Sequence, residues 1–348
     1  MDECGFEEVA RIALNFCGKL RQGRRRNKKP VSASHVATGI GGVATQIGLD
    51  RGTRPLHQVG SDKLLLPIQH MLAGFGSFDP PTEKKLACHP DLPTRAVENG
   101  HRGRPSAVRE ATADLICIAF YFLLRVGEYT TKTKRKMKTR TRQFRMKDLT
   151  FFKYDSTGAL QPMPRDAADS EILHADAATL RISNQKNGHA GACVHHCALV
   201  NSTMACPIKA LGRRYVHIRQ HTNNTKAFLC TFYDEAGMGS VTDNQIRYTV
   251  KYTAKELNYD KRGIPIDRVD THSLRSGGAC ALKLAGHDNV EIRKMGRWKP
   301  RSNAFLEYIQ QQLSTFSKDM ANNMSNIATF TNVEGTTERE DLRAQTIF

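Results

Sequence analysis

Four short segments of the 348-residue chain carry residue types suited to holding an anion. The first, Leu123-Leu124-Arg125-Val126-Gly127-Glu128-Tyr129, closes an apolar run. A guanidinium there is costly to desolvate unless it meets an anion. Glu128 is one such anion. A phosphate is another, with Glu128 then orienting Arg125 from behind. The second is Lys186, beside the tight-turn pair Asn187-Gly188. A lysine at a hairpin tip either swings into a groove to donate a proton or simply keeps a loop soluble. The third is Thr271-His272-Ser273-Leu274-Arg275. Three-residue spacing puts His272 and Arg275 on one helix face, near a helix start where negative charge is welcome. Gly277 and Gly278 follow at a cost in helix propensity, which predicts close packing. The fourth is Met295-Gly296-Arg297-Trp298-Lys299-Pro300, followed by Phe305-Leu306-Glu307-Tyr308-Ile309. Trp298 is the only tryptophan in the chain. Taken singly, it reads as core filler, and Tyr308 as an aromatic on a helix face.

Taken in order, Arg125, Lys186, His272-x-x-Arg275, Trp298 and Tyr308 resemble the catalytic set of the tyrosine recombinases, the phage-integrase type of DNA strand-exchange enzyme. That family runs arginine with a nearby acid, hairpin lysine, His-x-x-Arg, His or Trp, and a nucleophilic tyrosine about ten residues later. Here Tyr308 lies ten positions after Trp298, and Glu128 three after Arg125. The phrasing Gly-Arg-Trp-Lys and Ala-Phe-Leu-Glu-Tyr-Ile is similar to recombinases of eukaryotic mobile elements, and the match covers roughly 108–312. The resemblance implies a set of roles. Arg125 and Arg275 clamp the non-bridging oxygens of a phosphodiester, and Trp298 donates its indole N–H to one of them. Tyr308 attacks phosphorus to leave a 3′-phosphotyrosyl link. Lys186 protonates the departing 5′ oxygen, and His272 assists proton transfer at the phenol. One ester is exchanged for another, so no cofactor and no metal is expected. The implied partner is double-stranded DNA, closed in a clamp of two domains, with a homotetramer assembled on it and the stretch after Tyr308 packing on a neighbouring copy. Two rival readings share these motifs: an inactive, domesticated DNA-binding protein derived from a mobile element, and a type IB topoisomerase. His287, in Ala285-Gly286-His287, stands 21 residues before Tyr308 and is read as a loop residue.

The elements needed to position these groups predict a mostly α fold with a small antiparallel β-sheet (α+β). Apolar residues at Phe6, Val9, Ile12, Ala13 and Phe16 predict a first helix. A second follows around Val36–Ile47, capped by Ser32 or Ser34 and weakened by Gly39, Gly41 and Gly42; a third covers Leu64–Leu72. Residues 1–85 are thus a helical unit, matching the family's core-binding domain by position and type. Residues 86–105, with three prolines and two glycines, read as a linker; 106–316 form the catalytic domain and 317–348 a polar tail. Within the catalytic domain we expect a buried helix over 106–124, strands over Phe144–Phe152 and Thr179–Ser183, and a hairpin over Leu180–Val194. Helices are expected over Pro207–Gln220, Thr242–Leu257, Ser273–Ala285, Val290–Met295 and Asn303–Leu313.

Charge agrees with a polyanionic partner. The chain carries 52 Lys+Arg against 34 Asp+Glu, a net +18. Two runs concentrate it. One spans Arg21–Lys29 and includes Arg24, Arg25 and Arg26. The other spans Lys132–Lys147 and includes Lys132, Lys134, Arg135, Lys136, Lys138, Arg140 and Arg142. Its apolar run Ala113–Leu124 is about half the length of a membrane span. The acidic N-terminus lacks the order of a secretory signal. Nine cysteines, an odd number scattered through the chain, suit reduced thiols. An intracellular protein is therefore expected, nuclear if the source is eukaryotic. The cluster His189, Cys193, His195, His196, Cys197, with Cys206 beyond, offers soft ligands, but its spacing fits no usual zinc pattern.

Overall fold

The computed structural model describes residues 3–23, 31–80, 85–131, 142–182, 191–200, 204–299 and 306. The chain divides into two compact units, Met1–Glu83 and Lys84–Phe348. Among the described residues no helix is long and apolar enough to cross a membrane.

The first unit contains helices α1 (Glu3–Gln22), α2 (Ala33–Arg51) and α3 (Leu66–Ser77). Its core draws Ala10, Ala13 and Cys17 from α1, Val36, Ile40 and Ala44 from α2, and Ile68 from α3, the spacing of one helical face each. Ser32 caps α2 by accepting the His35 N–H. The glycines do not break α2. A side chain at Gly39 would meet Leu20 at 2.6 Å, so that glycine lets α1 and α2 cross closely. Gly41 and Gly42 face open space, and their cost of about 1 kcal/mol each is absorbed by the packing of the opposite face.

The expected linker over 86–105 is instead built into the second unit. It holds α4 (Asp91–Gly100), with Leu92, Pro93, Ala96 and Val97 buried. The composition misleads because Pro90 and Pro93 stand at the cap and first turn, where a missing N–H costs nothing. Gly100, read as a breaker, is a contact: a Cβ there would lie 2.3 Å from that of Ala113. Its partner is α5 (Ala107–Tyr121), buried continuously from Ala111 to Phe120, the central helix that the apolar run predicts.

A short α6 (Val126–Tyr129) follows. Then come β1 (Leu149–Tyr154), β2 (Leu160–Pro162), α7 (Asp169–Leu173), β3 (Ala177–Arg181) and β4 (Cys193–Cys197). These strands form one antiparallel sheet in the order β2-β1-β3-β4. The strand expected from Phe144 starts only at Leu149, because Met146–Asp148 turn as a 3-10 helix with Met146 buried. Leu180 pairs with Val194, as a Leu180–Val194 hairpin requires; the Asn187-Gly188 turn lies outside the described residues.

The unit continues with α8 (Pro207–Arg219), the hairpin β5 (Thr231–Asp234) and β6 (Gly237–Ser240), α9 (Asp243–Glu256), α10 (Thr271–Leu284) and α11 (Asn289–Gly296). Thr242 opens α9 with a capping box to Gln245. The helix expected over Asn303–Leu313 and the tail 317–348 lie outside the described residues, apart from Leu306.

Candidate active site

Three segments far apart in sequence meet where α5 ends. At Leu123 the backbone turns left-handed (φ 48°), which swings its carbonyl out of the helical direction. Arg125 then caps α6. Its N–H donates to Glu128 Oε2 at 2.9 Å and its Nη1 to Glu128 Oε1 at 3.3 Å. Glu128 is completely buried, whereas the Arg125 side chain keeps a quarter of its surface open.

The second segment is α10. Asp270 caps it, accepting the His272 N–H at 2.8 Å. The close packing expected of Gly277 and Gly278 is present. A Cβ on Gly277 would lie 2.3 Å from the Cys88 carbonyl oxygen, and one on Gly278 would lie 2.4 Å from that of Phe120. The paired glycines thus press α10 against the end of α5, and that approach carries Arg275 to the Leu123 carbonyl. Gly278→Val is accordingly expected to destabilise the fold by about 3 kcal/mol, since the Phe120 carbonyl cannot yield as a side chain would. Chemical denaturation measures it, and an unchanged midpoint would show that the two helices can separate.

Arg275 is buried, and its Nη1 and Nη2 donate to the carbonyls of Leu123 and Gly296. Those two bonds occupy two of its five N–H groups. Its guanidinium carbon lies 4.3 Å from the centroid of the Trp298 ring, a cation–π stack. His272, one turn earlier, is exposed as a residue. Its imidazole titrates below the ordinary 6.5 because the surrounding protein strips part of its hydration, then because Arg275 and Arg125 repel a second positive charge; Asp270 opposes them. It is therefore neutral near pH 7, the form that can accept or relay a proton.

The third segment is the end of α11. Arg297 takes a left-handed conformation (φ 56°), and the Trp298 N–H returns to the Arg293 carbonyl at 3.0 Å. A Cβ at Gly296 would sit 1.6 Å from the Trp298 ring, so only glycine admits the fold-back that lays the indole on Arg275. Trp298 is 8% exposed and packs with Ala87, Leu123, Ala279, Cys280 and Ile292. Leu306, two positions before Tyr308, packs against the same cluster. Arg297 itself was not among the expected site residues. Its Nη2 donates to Glu128 Oε2 at 3.1 Å and to the Leu123 carbonyl at 3.0 Å. Its position two before Lys299 reads as a solvated basic stretch; only the neighbouring Gly296 and Trp298 point to burial.

Arg125, Glu128, His272, Arg275 and Trp298 therefore converge. Lys186, Tyr308, Arg24, Arg25, Arg26, Lys132, Lys134, Arg135, Lys136, Lys138 and Arg140 lie outside the described residues, and Arg142 is exposed. His287 sits on the exposed turn after α10, 3.1 Å from Glu291, as a loop residue should. On β4, His195 Nδ1 bonds Thr179 at 2.9 Å and His196 Nε2 bonds the Tyr121 carbonyl at 2.8 Å. Among the described residues no group of three ligating side chains is placed to hold a metal.

A second basic surface lies on α9. Arg247, Lys251 and Lys255 line a groove of about 580 Å³ with Tyr248 and Tyr252, whose exposed rings are 6.4 Å apart.

No protein-family model matches the chain, and no curated protein matches it. Solved structures do. The Tn1549 transposon integrase in complex with circular intermediate DNA is 12% identical, with 87% of this chain and 80% of that chain covered and a TM-score of 0.40. The XerH site-specific recombinase bound to its difH substrate is 14% identical over 89% of this chain and 94% of that one, at a TM-score of 0.39. The XerA recombinase is 13% identical over 90% and 93%, at 0.34.

Proposed function

We propose that this chain is a tyrosine-type DNA strand transferase, a recombinase or integrase that breaks and rejoins duplex DNA through a 3′-phosphotyrosine intermediate. The observation that carries the reading is the meeting of Arg125, His272, Arg275 and Trp298, drawn from three distant segments, at the end of α5. Two guanidinium groups on a rigid frame match the two non-bridging oxygens of a phosphodiester and the charge that grows on them during attack. A neutral His272 beside them suits proton transfer at a phenol. Tyr308 is the nucleophile and Lys186 the acid for the leaving 5′ oxygen, roles supported by their order in the sequence. The packing of Leu306 beside Trp298 supports a nucleophile delivered to this pocket. Recombination joins two duplexes through four cleavages, so the working form is a tetramer on DNA.

The test is capture of a covalent protein–DNA adduct on a nicked duplex whose short 5′ fragment diffuses away. An adduct that resists denaturant and maps to a peptide containing Tyr308 is expected; persistent absence across duplexes containing the protein's own target ends the proposal.

The α9 face supports duplex binding outside the pocket. Lys251→Ala with Lys255→Ala should lower the slope of log affinity against log salt by about two, one per lost phosphate contact, without changing the melting temperature. Titrations between low and moderate salt measure it, and an unchanged slope removes α9 from the interface.

A further inference from the structure

Three non-glycine residues among those described hold left-handed backbone: Leu123, Asn258 and Arg297. Two of them touch. Arg297 Nη2 donates to the Leu123 carbonyl at 3.0 Å, and that carbonyl also accepts from Arg275. A left-handed side chain crowds the following carbonyl, and such strain persists only where the surroundings hold it in place. Here Arg297 is held by its guanidinium. The same Nη2 reaches Glu128 Oε2 at 3.1 Å, on the oxygen that also takes the Arg125 N–H. Glu128 therefore faces two arginines of unlike setting: Arg297, 3% exposed, and Arg125, 25% exposed.

We propose that Arg297 is a positioning residue for the strand-transfer chemistry, setting both arginines of the clamp. By answering part of the negative charge of Glu128 it leaves the Arg125–Glu128 side-chain bond long, at 3.3 Å, so Arg125 can turn its guanidinium to a phosphate. By sharing the Leu123 carbonyl with Arg275, and by its left-handed backbone, it holds Trp298 flat on Arg275. The inference rests on the strand-transfer reading, and its charge logic gives a signature. Loss of one partner from a buried ion pair leaves a charge seeking compensation, while loss of both is far milder. Without Arg297, Glu128 tightens its hold on Arg125; without both, Arg125 is released.

The experiment uses the full chain and the variants Arg297→Met, Arg297→Lys, Glu128→Gln and the Arg297→Met/Glu128→Gln double. Adduct rates on nicked duplex, duplex affinity and the emission of the sole tryptophan are measured. Arg297→Met should slow adduct formation about 100-fold, the scale of an ångström-sized misplacement. Duplex affinity should change less than about threefold, since Arg297 is enclosed. The double variant should recover about tenfold of the lost rate, a coupling no additive structural defect produces. Arg297→Lys, which keeps the charge, should stay within about tenfold of wild type and serves where the methionine variant does not fold. In Arg297→Met the tryptophan emission should shift to the red without DNA. A double variant no faster than Arg297→Met, a lysine variant no better than methionine, or an unshifted emission overturns the proposal. If wild type forms no adduct, the strand-transfer reading falls, and the emission shift alone decides whether Arg297 seats Trp298.

Discussion

Tyr308→Phe is expected to bind duplex DNA with wild-type affinity and to form no covalent adduct at all. The substitution removes one oxygen from a chain whose background affinity comes from a net charge of +18, so binding has no reason to fall. Chemistry has no substitute nucleophile in this reading. Among the described residues the other phenols near the pocket are unfit for attack. Tyr129 is buried, and burial together with the Glu128 carboxylate pushes its ionisation far above the ordinary range. Tyr121 is raised to about 12, chiefly by burial. The effect is therefore qualitative: denaturing gels should show no shifted band at any time point. A surviving adduct in the phenylalanine variant would move the nucleophile elsewhere and dissolve the assignment of the pocket.

The second large effect concerns Arg275. Alanine there would be hard to interpret, because it takes the Arg275 donor from the Gly296 carbonyl, leaves the Leu123 carbonyl with Arg297 instead of both arginines, and leaves Trp298 over a void. An unsatisfied buried carbonyl costs about 1–3 kcal/mol, so instability would be confused with lost chemistry. Arg275→Lys is cleaner. It keeps the charge but replaces a planar fork with a single point donor that cannot serve two carbonyls and a phosphate oxygen together. Adduct formation should drop by about 100-fold or more while duplex affinity stays within a few-fold. Single-turnover rates on nicked duplex, with a melting curve as control, measure this. A lysine variant that cleaves at the wild-type rate would mean that Arg275 is only a brace for the α5–α11 junction.

Much of this was legible in the sequence because helix signals are local. The three-residue spacing of His272 and Arg275, the capping residue Ser32, and the glycine pair at 277–278 each state a requirement that the fold meets in place. What stayed hidden is non-local. Nothing near Pro90 or Pro93 tells a helix start from a linker, because the deciding partner is Ala113 on α5. Arg297 reads as surface charge because Glu128, 169 positions away, is what draws it inward. The β1 boundary was displaced for a similar reason: Phe144 is buried outside the sheet, so apolar character alone does not announce a strand.

The carbonyls that seat Arg275 come from Leu123 and Gly296, one made before the arginine and one after it. A ribosome emitting this chain thus releases the first guanidinium of the pocket long before the last piece of its frame. Synthesis proceeds at about 5–20 residues per second, so the nascent protein spends roughly ten seconds or more with Arg125 exposed and no complete seat for Arg275. On the strand-transfer reading, the growing polypeptide cannot assemble the phosphate clamp during that interval, because the Gly296 carbonyl that seats Arg275 has yet to be made.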